Sequence, residues 1–488
     1  MQEMQRIMVL LAFLYSLSTP AHGSQYERMK NALDEHSLPL VNMIVDISKV
    51  NRNTFTAGDI EIADYQRRTD PSTIEVRFAC EYRIRGGSTL TKRKKSYAVK
   101  LLKESGEELD ANIFGIREEN SWILDAMSID RTRMRNRICF DVWNEISRTP
   151  YDTKYSNRNG TMGEFVEVFI NGTYHGLYCM TDKIDRKLLE LKKAKVGEDG
   201  QVTVRGLLYK GCNWKTGVDL LSYNDEATDK VTWNSFELDY PEDYPSIDTW
   251  QPLMDLIDFC SDATPDDVFV QEYQDYFYMD NLVDFVAFAN ALFIRDHLYH
   301  NIFLSVVDIN EGHCYLLTPW DMDTSLGGDY NGAYHEELVD INRFSRRAGP
   351  FNRLGTQNID GFNNLVSNKW KELSETLFSC DSIAQCLDHY AEQFTASGAW
   401  ERERTKWNNN PVPLKESVFE ELEYVKDWYA KNYENLCTQY GTNVIEFIDM
   451  DSKHSQRTSI YTIDGRRLNE NILQRGIYIM NGKKVIVR

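Results

Sequence analysis

The segment 294–323 contains the residues whose types and spacing are best suited to chemistry. Asp296 is followed by four residues and then by Asn301, and two apolar, β-type runs lead on to Asp321 and Asp323. Phosphoryl transfer from ATP needs a carboxylate beside the attacking hydroxyl and oxygen ligands that hold magnesium on the phosphates. An Asp and an Asn five positions apart on one loop can supply both groups, and an Asp after the next hairpin can complete the metal shell.

This order of residues has a known counterpart in the catalytic segment of protein kinases. There, an H-R-D-x-x-x-x-N loop precedes a strand pair and an Asp. Here Ile294 stands in place of the His, while Arg295, Asp296 and Asn301 keep the spacing. D-x-x-x-x-N alone occurs by chance in many chains, and a turn role for Asp296 is the structural alternative. Polar residues between two apolar segments must find partners or form a site, which favours the functional interpretation.

Strands are expected on both sides of a basic turn near the N-terminus. Residues 76–84 alternate apolar and polar types with a period of two, and 96–102 repeat the pattern. Gly86-Gly87 and the basic run at 92–95 lie between them, as either a solvated turn or a phosphate-binding one. Farther on, Asn171-Gly172 joins two β-rich runs and predicts a hairpin.

Helices are expected later in the chain. Apolar residues four apart predict a helix up to Ile146, and 264–294 is predicted to form a buried helix. The Gly- and Asn-rich stretch 330–370 is predicted to be a long surface loop, and 371–440 to be helical. Residues 24–60 are interpreted as a lead-in that contains an apolar run at 38–47.

Composition limits the partners. The chain has 488 residues, a formal net charge of −20 and a pI near 5.0. Such a chain repels nucleic acid and anionic membranes. Its acidity is explained either by plain solubility or by a site that collects divalent cations or meets a basic protein substrate. Nine cysteines are present without a CxxC pair, so a structural zinc site is not expected, and no disulfide pairing can be assigned.

The N-terminus predicts export. Arg6 precedes the apolar run Ile7–Leu17, which is too short to span a bilayer, and Ala21 and Gly23 fit a cleavage site. Residues 1–23 are therefore predicted to be a signal peptide that directs the protein to the periplasm, the cell surface or the medium. No later stretch is apolar enough to cross a membrane, so the mature chain is expected to have no transmembrane segment.

Several segments, taken together, resemble the CotH kinase family, named after spore coat protein H. They are RIRGGSTLTKRKKSYAVKL, SWILDAMSIDRTRMRNRICFDVW, FVEVFINGTYHGLYCMTDKID, LYKG, DHLYHNIFL and YLLTPWDMD, and they run in family order. The resemblance covers about 38–328 and extends through the helical region to about 437. It implies an α+β fold, a divergent and reduced form of the protein-kinase fold, without a Gly-rich phosphate loop.

The resemblance also implies roles for individual residues. Asp296 is the base, and Asn301 and Asp321, helped by Asp323, bind Mg²⁺ or Mn²⁺. Residues implied to contact ATP are Arg85, Lys94 and Lys95, near the phosphates, and Tyr315, which replaces a family Trp and would stack on adenine. Asp182 stands where a Glu is common in the family, and like Tyr315 it puts nucleotide affinity in question.

The tail differs in character from the rest of the chain. Two strand-turn-strand patterns and a basic excess resemble the C-terminal sorting module of Bacteroidetes proteins, with an ordinary accessory β-module as the alternative. The predicted organisation is thus a signal peptide at 1–23, a CotH-type kinase-like domain at 24–440 and a small β-module at 441–488.

Three classes of function are compatible with these patterns. The favoured one is a secreted atypical protein kinase that transfers the ATP γ-phosphate to Ser or Thr of a protein. The second is a catalytically silent surface scaffold, which would have no need of Asp296, Asn301 and Asp321. The third is a metal-dependent hydrolase or carbohydrate-acting enzyme, for which the sequence has no HExxH or His-rich ligand set. The sequence does not specify the oligomeric state.

Overall fold

A computed structural model describes the chain in segments that belong to two units. The described residues are 23–212, 220–223, 229–295, 300–346, 349–408, 413–441, 446–448, 460–462, 467–468, 476–480 and 483–487. Unit 1 consists of the described parts of Met1–Arg137, Thr161–Lys183 and Asp388–Glu421. Unit 2 consists of the described parts of Ile138–Gly160, Ile184–Leu387 and Leu422–Arg488. Except for Gly23, the predicted signal peptide lies outside the described residues.

Helices occur in both units. They are α1 Gln25–Lys30, α2 Arg135–Ile146, α3 Ile247–Cys260, α4 Asp266–Tyr276, α5 Met279–Leu292, α6 Gly349–Gln357, α7 Phe362–Ser374, α8 Cys380–Ala396, α9 Ala399–Trp407 and α10 Val418–Gln439. Within the described residues, no helix is both long enough and apolar enough to cross a membrane.

The strands of unit 1 form a closed barrel and one small additional pair. They are β1 Leu40–Ile44, β2 Thr56–Ala63, β3 Glu75–Arg85, β4 Ser96–Leu102, β5 Ala111–Asn112, β6 Glu118–Glu119, β7 Ser121–Asp125, β8 Gly163–Ile170 and β9 Thr173–Thr181. The barrel order is β1-β2-β3-β4-β7-β9-β8, and parallel pairing of β1 with β8 closes it. Apolar side chains such as Trp122 and Tyr178 fill its core.

Barrel closure was not predicted, and the interpretation of 24–60 as a lead-in is wrong. Val41 and Met43 of β1 are fully buried in the barrel core, and β2 begins within this stretch, at Thr56. The predicted hairpin is confirmed as β8 and β9. Asn171 and Gly172 at its turn both have positive φ angles, 49° and 78°, as a twisted two-residue turn requires.

Unit 2 is built around an antiparallel sheet and the helices that cover it. Its strands are β10 Lys195–Val196, β11 Val202–Thr203, β12 Leu207–Gly211, β13 Thr232–Trp233, β14 Phe236–Tyr240, β15 Ile302–Val306 and β16 Leu316–Pro319. The five-stranded sheet has the order β13-β14-β12-β15-β16, and β10 pairs with β11.

Two helix predictions in unit 2 need correction. The predicted helix 264–294 is broken into α4 and α5, because Tyr315 donates its N–H to the carbonyl of Tyr276 and forms a strand bridge with Phe277. The predicted surface loop 330–370 contains all of α6 and most of α7. Phe351 and Trp370 on these helices are buried, so an apolar face exists among the polar residues.

The tail contains the predicted strand-turn-strand units. Its strands are β17 Glu446–Ile448, β18 Ile460–Thr462, β19 Arg467–Leu468, β20 Gly476–Met480 and β21 Lys483–Val487. They form a sheet of order β17-β21-β20-β18-β19. The structure is thus mixed α+β, as predicted. The kinase-like topology, the division at 440 and the sorting role of the tail remain predictions.

Candidate active site

A β-hairpin in unit 2 brings two of the predicted metal ligands close together. β15 and β16 pair in a register that sets Ile302 opposite Pro319. One step beyond, the N–H of Trp320 donates to the carbonyl of Asn301 at 2.9 Å. Asn301 therefore directly precedes one strand and Asp321 closely follows the other, both at the same end of the hairpin. The predicted base, Asp296, lies outside the described residues.

Asn301 and Asp321 also share an uncommon backbone conformation. Their φ angles are 59° and 58°, in the left-handed region. Asn and Asp tolerate this region better than most residues, because their short polar side chains can hydrogen-bond locally. The left-handed residues end the regular strand geometry on both sides of the hairpin. Such outliers are concentrated at functional sites, where surrounding structure sustains the strain.

Asp321 and Asp323 are separated by a residue of the core. Met322 is fully buried, Asp321 is exposed and Asp323 is half-buried. The N–H of Ser325 donates to the carbonyl of Met322 at 3.2 Å, which forms a turn immediately after the two acids. Met322 thus anchors the segment that carries both carboxylates.

Arg295, the residue before the predicted base, is tied to a loop beyond the metal segment. Its Nη1 atom lies 3.4 Å from Oδ1 of Asp329, and both side chains are partly buried. The loop that contains Asp329 is itself anchored, because Leu326 donates its N–H to the carbonyl of Leu292 at the end of α5. The described ends of the predicted catalytic segment are therefore held within unit 2.

Tyr315 is in a core position in this structure. It is 1% exposed, its hydroxyl donates to the carbonyl of Pro252 in α3 at 2.8 Å, and burial raises its pKa well above the ordinary value. These are the contacts of a structural tyrosine. Stacking of its ring on adenine would require α3 to move, and that role remains a prediction.

Lys94 of unit 1 is fully buried in an ionic cluster. Its Nζ donates to Oε1 of Glu403 at 2.7 Å and to the carbonyl of Leu177 at 2.5 Å. Arg133 donates its Nε to the same carboxylate oxygen at 2.9 Å. Burial lowers the pKa of Lys94 to about 8, with Glu403 opposing that shift. Its ammonium is therefore engaged inside unit 1, and a contact with phosphate remains a prediction.

The other two predicted cations of unit 1 lie on neighbouring strand ends. Arg85 is the last residue of β3 and pairs with Ser96, the first residue of β4. Lys95 directly precedes β4, and its Nζ donates to the carbonyl of Leu90. Both side chains are half-buried. The β3–β4 register thus places Arg85 and Lys95 close together, and their contact with a nucleotide is untested.

Sequence reasoning missed two buried carboxylate clusters of unit 1. Asp182, noted only as a departure from the family, accepts from Nε of Arg117 at 2.8 Å and from the N–H of Met162 at 2.8 Å. Asp130 accepts the N–H groups of Met134 and Arg135 at the start of α2, each at 2.8 Å. Burial raises the pKa of Asp130, but the charge of Arg135 and hydrogen bonds from Arg135 and Thr132 outweigh it, and the pKa is lowered. In the sequence, the only signal for these two carboxylates is that each polar residue stands among apolar neighbours.

The described residues contain no cluster of three His, Cys, Asp or Glu side chains arranged to hold a metal ion. Their nine cysteines are all free thiols. The predicted metal set differs from such clusters, because one of its members is the amide of Asn301.

The sequence from β3 to α10 carries a family signature. The model of the CotH kinase protein family matches residues 82–436, well over half of the chain. The chain belongs to the CotH kinase family. Comparison with curated proteins gives no match. Family membership suggests a kinase-like function, and the matched range includes the positions of Asn301 and Asp321.

Proposed function

We propose that this CotH kinase family member is an exported protein kinase that transfers the γ-phosphate of ATP to Ser or Thr of a protein substrate. The observation that carries the proposal is the hairpin register, which brings Asn301 and Asp321 to the same end of β15 and β16. Kinase chemistry needs this pair of oxygen ligands near the catalytic loop. The family match supports the same function.

The residues at this hairpin end fit a divalent cation. Mg²⁺ and Mn²⁺ prefer oxygen ligands, and Mg²⁺ is usually held by one or two carboxylates together with substrate phosphates. The amide oxygen of Asn301 and the exposed carboxylate of Asp321 would hold the ion, with Asp323 beside them. A cation bound there would neutralise the charge that develops on the phosphates.

The chemical step assigns one task to Asp296. The substrate hydroxyl oxygen forms a bond to the γ-phosphorus while the bond from that phosphorus to the bridging oxygen of ADP breaks. Asp296 accepts the hydroxyl proton. Arg85 and Lys95 are the proposed cations near the phosphates. The net charge of −20 favours a basic, Ser- or Thr-containing segment as the acceptor.

The test is phosphate transfer from labelled ATP with Mg²⁺ or Mn²⁺ to the protein itself and to a basic protein. Wild type, Asp296→Asn, Asp321→Asn and the control Asp262→Asn are compared, because Asp262 is an exposed acid of unit 2 outside the segment 294–323. We expect transfer by wild type and by the control, and loss of transfer in the other two at unchanged thermal stability. Equal transfer by Asp321→Asn and wild type would refute the proposal.

The silent scaffold is the second candidate, and the burial of Lys94 and Tyr315 favours it. Both were predicted to contact ATP, and both are used for internal packing. In this case wild type would neither bind nor consume nucleotide. A metal-dependent hydrolase would instead release phosphate or sugar without an acceptor protein. Analysis of the reaction products in the same assay distinguishes this hydrolysis from transfer to protein.

The proposal also includes export by a cleaved signal peptide and a sorting role for the tail. The apolar run Ile7–Leu17 supports cleavage near Gly23, and the strands of the tail support a separate β-module with a sorting role. N-terminal sequencing of the secreted chain, with and without 441–488, tests both parts. If the secreted chain keeps Met1, the predicted signal peptide is not cleaved. If the chain is exported equally well without 441–488, the tail has no sorting role.

A further inference from the structure

Lys210 lies on the strand beside the hairpin that carries Asn301. β12 pairs with β15 so that Lys210 is opposite Phe303. The N–H of Asn301 donates to the carbonyl of Gly211 at 3.1 Å, which ties the end of β12 to the residue before β15. Lys210 is therefore held near the same end of the sheet as the predicted metal ligands.

The side chain of Lys210 shares a sheet face with aromatic residues. Paired residues of antiparallel strands point to the same side, so Lys210, Phe303 and Thr318 share one face. Trp320 follows two residues after Thr318, and its ring lies 5.8 Å from that of Phe303. The Lys210 ammonium lies 6.0 Å from the centre of the Phe303 ring. Phe303 and Trp320 therefore lie on this face close to the end of the sheet at which Asn301 stands.

The ammonium of Lys210 has no ion pair or hydrogen bond with another described residue, although the side chain is half-buried. Other lysines with restricted exposure do have such partners: Lys94 pairs with Glu403 at 2.7 Å, and Lys369 with Asp284 at 3.0 Å. Partial burial removes hydration from a charge, and the cost is offset only by an opposite charge or hydrogen bonds. Glu237 of β14 is the cross-strand neighbour of Lys210 on this face, but the two side chains form no ion pair. Lys210 is thus suited to an anionic ligand.

We propose that Lys210 binds the β- or γ-phosphate of the nucleotide, an inference that rests on the proposed kinase function. Its position one strand from Asn301 puts a cation beside the predicted metal site, where the phosphates of a metal-bound triphosphate must lie. Lysine binds phosphate as a compact point charge with donors free to rotate. The Phe303 ring, which packs against Trp320, is the apolar neighbour of its ammonium.

The experiment compares nucleotide binding by wild type, Lys210→Met, Lys210→Arg and Lys193→Met. Methionine keeps the apolar stem and removes the charge, arginine keeps the charge, and Lys193 is an exposed lysine of unit 2 that serves as the control. Affinities for ATP with Mg²⁺ and for AMP are measured by calorimetry, and thermal unfolding verifies folding. Loss of one charged hydrogen bond predicts that Lys210→Met weakens ATP binding by about 10- to 100-fold. AMP binding should not change, and arginine should restore part of the ATP affinity.

The outcomes distinguish failure of the Lys210 proposal from failure of the proposed kinase function. Absence of ATP binding by wild type would remove the kinase proposal itself. ATP binding by wild type and equally by Lys210→Met would overturn the role of Lys210 alone. Equal loss of ATP and AMP affinity would also overturn it, since AMP lacks the β- and γ-phosphates. Should Lys210→Met fail to fold, Lys210→Gln is judged by the same comparison.

Discussion

The Nζ atom of Lys94 lies 2.7 Å from Oε1 of Glu403, and neither side chain is exposed to solvent. Arg133 shares the same carboxylate, so one acid compensates two buried cations. Burial opposes ionisation of Glu403, but Lys94 and Arg133 outweigh it and hold its pKa below the ordinary value. This cluster connects α9 with the barrel strands of unit 1.

Removal of that single negative charge should destabilise the protein strongly. Glu403→Gln leaves Lys94 and Arg133 buried without a carboxylate, and we expect the free energy of unfolding to fall by about 3–5 kcal/mol. Urea denaturation at neutral pH measures it. Glu401→Gln is the control, because Glu401 is exposed on the same helix and pairs only with surface groups. Similar midpoints for the two variants would contradict the role given to the cluster.

His175 should make unit 1 sensitive to acid. Burial lowers its pKa from 6.5 to about 4, and Lys94 and Lys406 add to the effect while Glu403 opposes it. Its ring lies between those of Tyr178 and Trp407. Between these two pKa values the unfolded chain binds a proton that the folded chain does not, so stability falls as pH decreases from 6.5 towards 4.

The measurement for His175 is the unfolding free energy at several pH values across that window. His175→Gln cannot take up the proton, so its stability should decrease less than that of wild type over the same range. Groups that do not interact with His175 contribute equally to both curves, so the difference between the two curves reports on His175 and on the charges coupled to it. Parallel curves would refute the prediction.

Backbone and side-chain roles of Asn301 can be separated by two substitutions. Asn301→Gly suits the left-handed backbone, and we expect stability to change by less than about 1 kcal/mol. Asn301→Val places a β-branched side chain at φ 59° and should cost about 1–2 kcal/mol. Both variants lose the amide oxygen, so both should lose Mg²⁺-dependent binding of ATP. Retention of that binding by the stable glycine variant would exclude Asn301 as a metal ligand.

Two glycines of unit 2 should respond differently to the same substitution. Gly327 and Gly361 have nearly equal φ angles, 73° and 74°. A Cβ at Gly327 would lie 2.7 Å from Cγ of Trp428, whereas at Gly361 the nearest atom would be 3.8 Å away. Gly361→Ala should therefore cost about 1–2 kcal/mol from the backbone alone, and Gly327→Ala about 2–4 kcal/mol from backbone and overpacking. Calorimetric unfolding compares the two variants. Equal losses of stability would show that the Trp428 side chain can move aside without an energetic cost.

Local patterns predicted the structure where neighbouring residues determine it. The hairpin at Asn171-Gly172 followed from turn chemistry, and the proximity of Asn301 and Asp321 followed from two short strands with a turn between them. In both cases the paired strands are adjacent in sequence. The register then fixes which residues meet, without help from distant parts of the chain.

Long-range contacts were the ones that sequence patterns did not predict. Lys94 belonged to an evident basic run, but its carboxylate partner lies 309 residues away. Alternation in a strand also cannot tell which face will be covered, so the burial of Tyr315 under α3 was not foreseen. The break between α4 and α5 likewise depends on a strand bridge from Tyr315 to Phe277.

The distance along the chain between Lys94 and Glu403 has a consequence for biosynthesis. A ribosome releases every barrel strand, the last of which ends at Thr181, long before it reaches Glu403. Until then Lys94 and Arg133 lack the carboxylate that compensates their charges in the folded protein. A fragment that stops after Lys183 should consequently be a poor expression target despite containing all of the barrel strands, and the barrel is expected to reach its stable form only when α9 is also present.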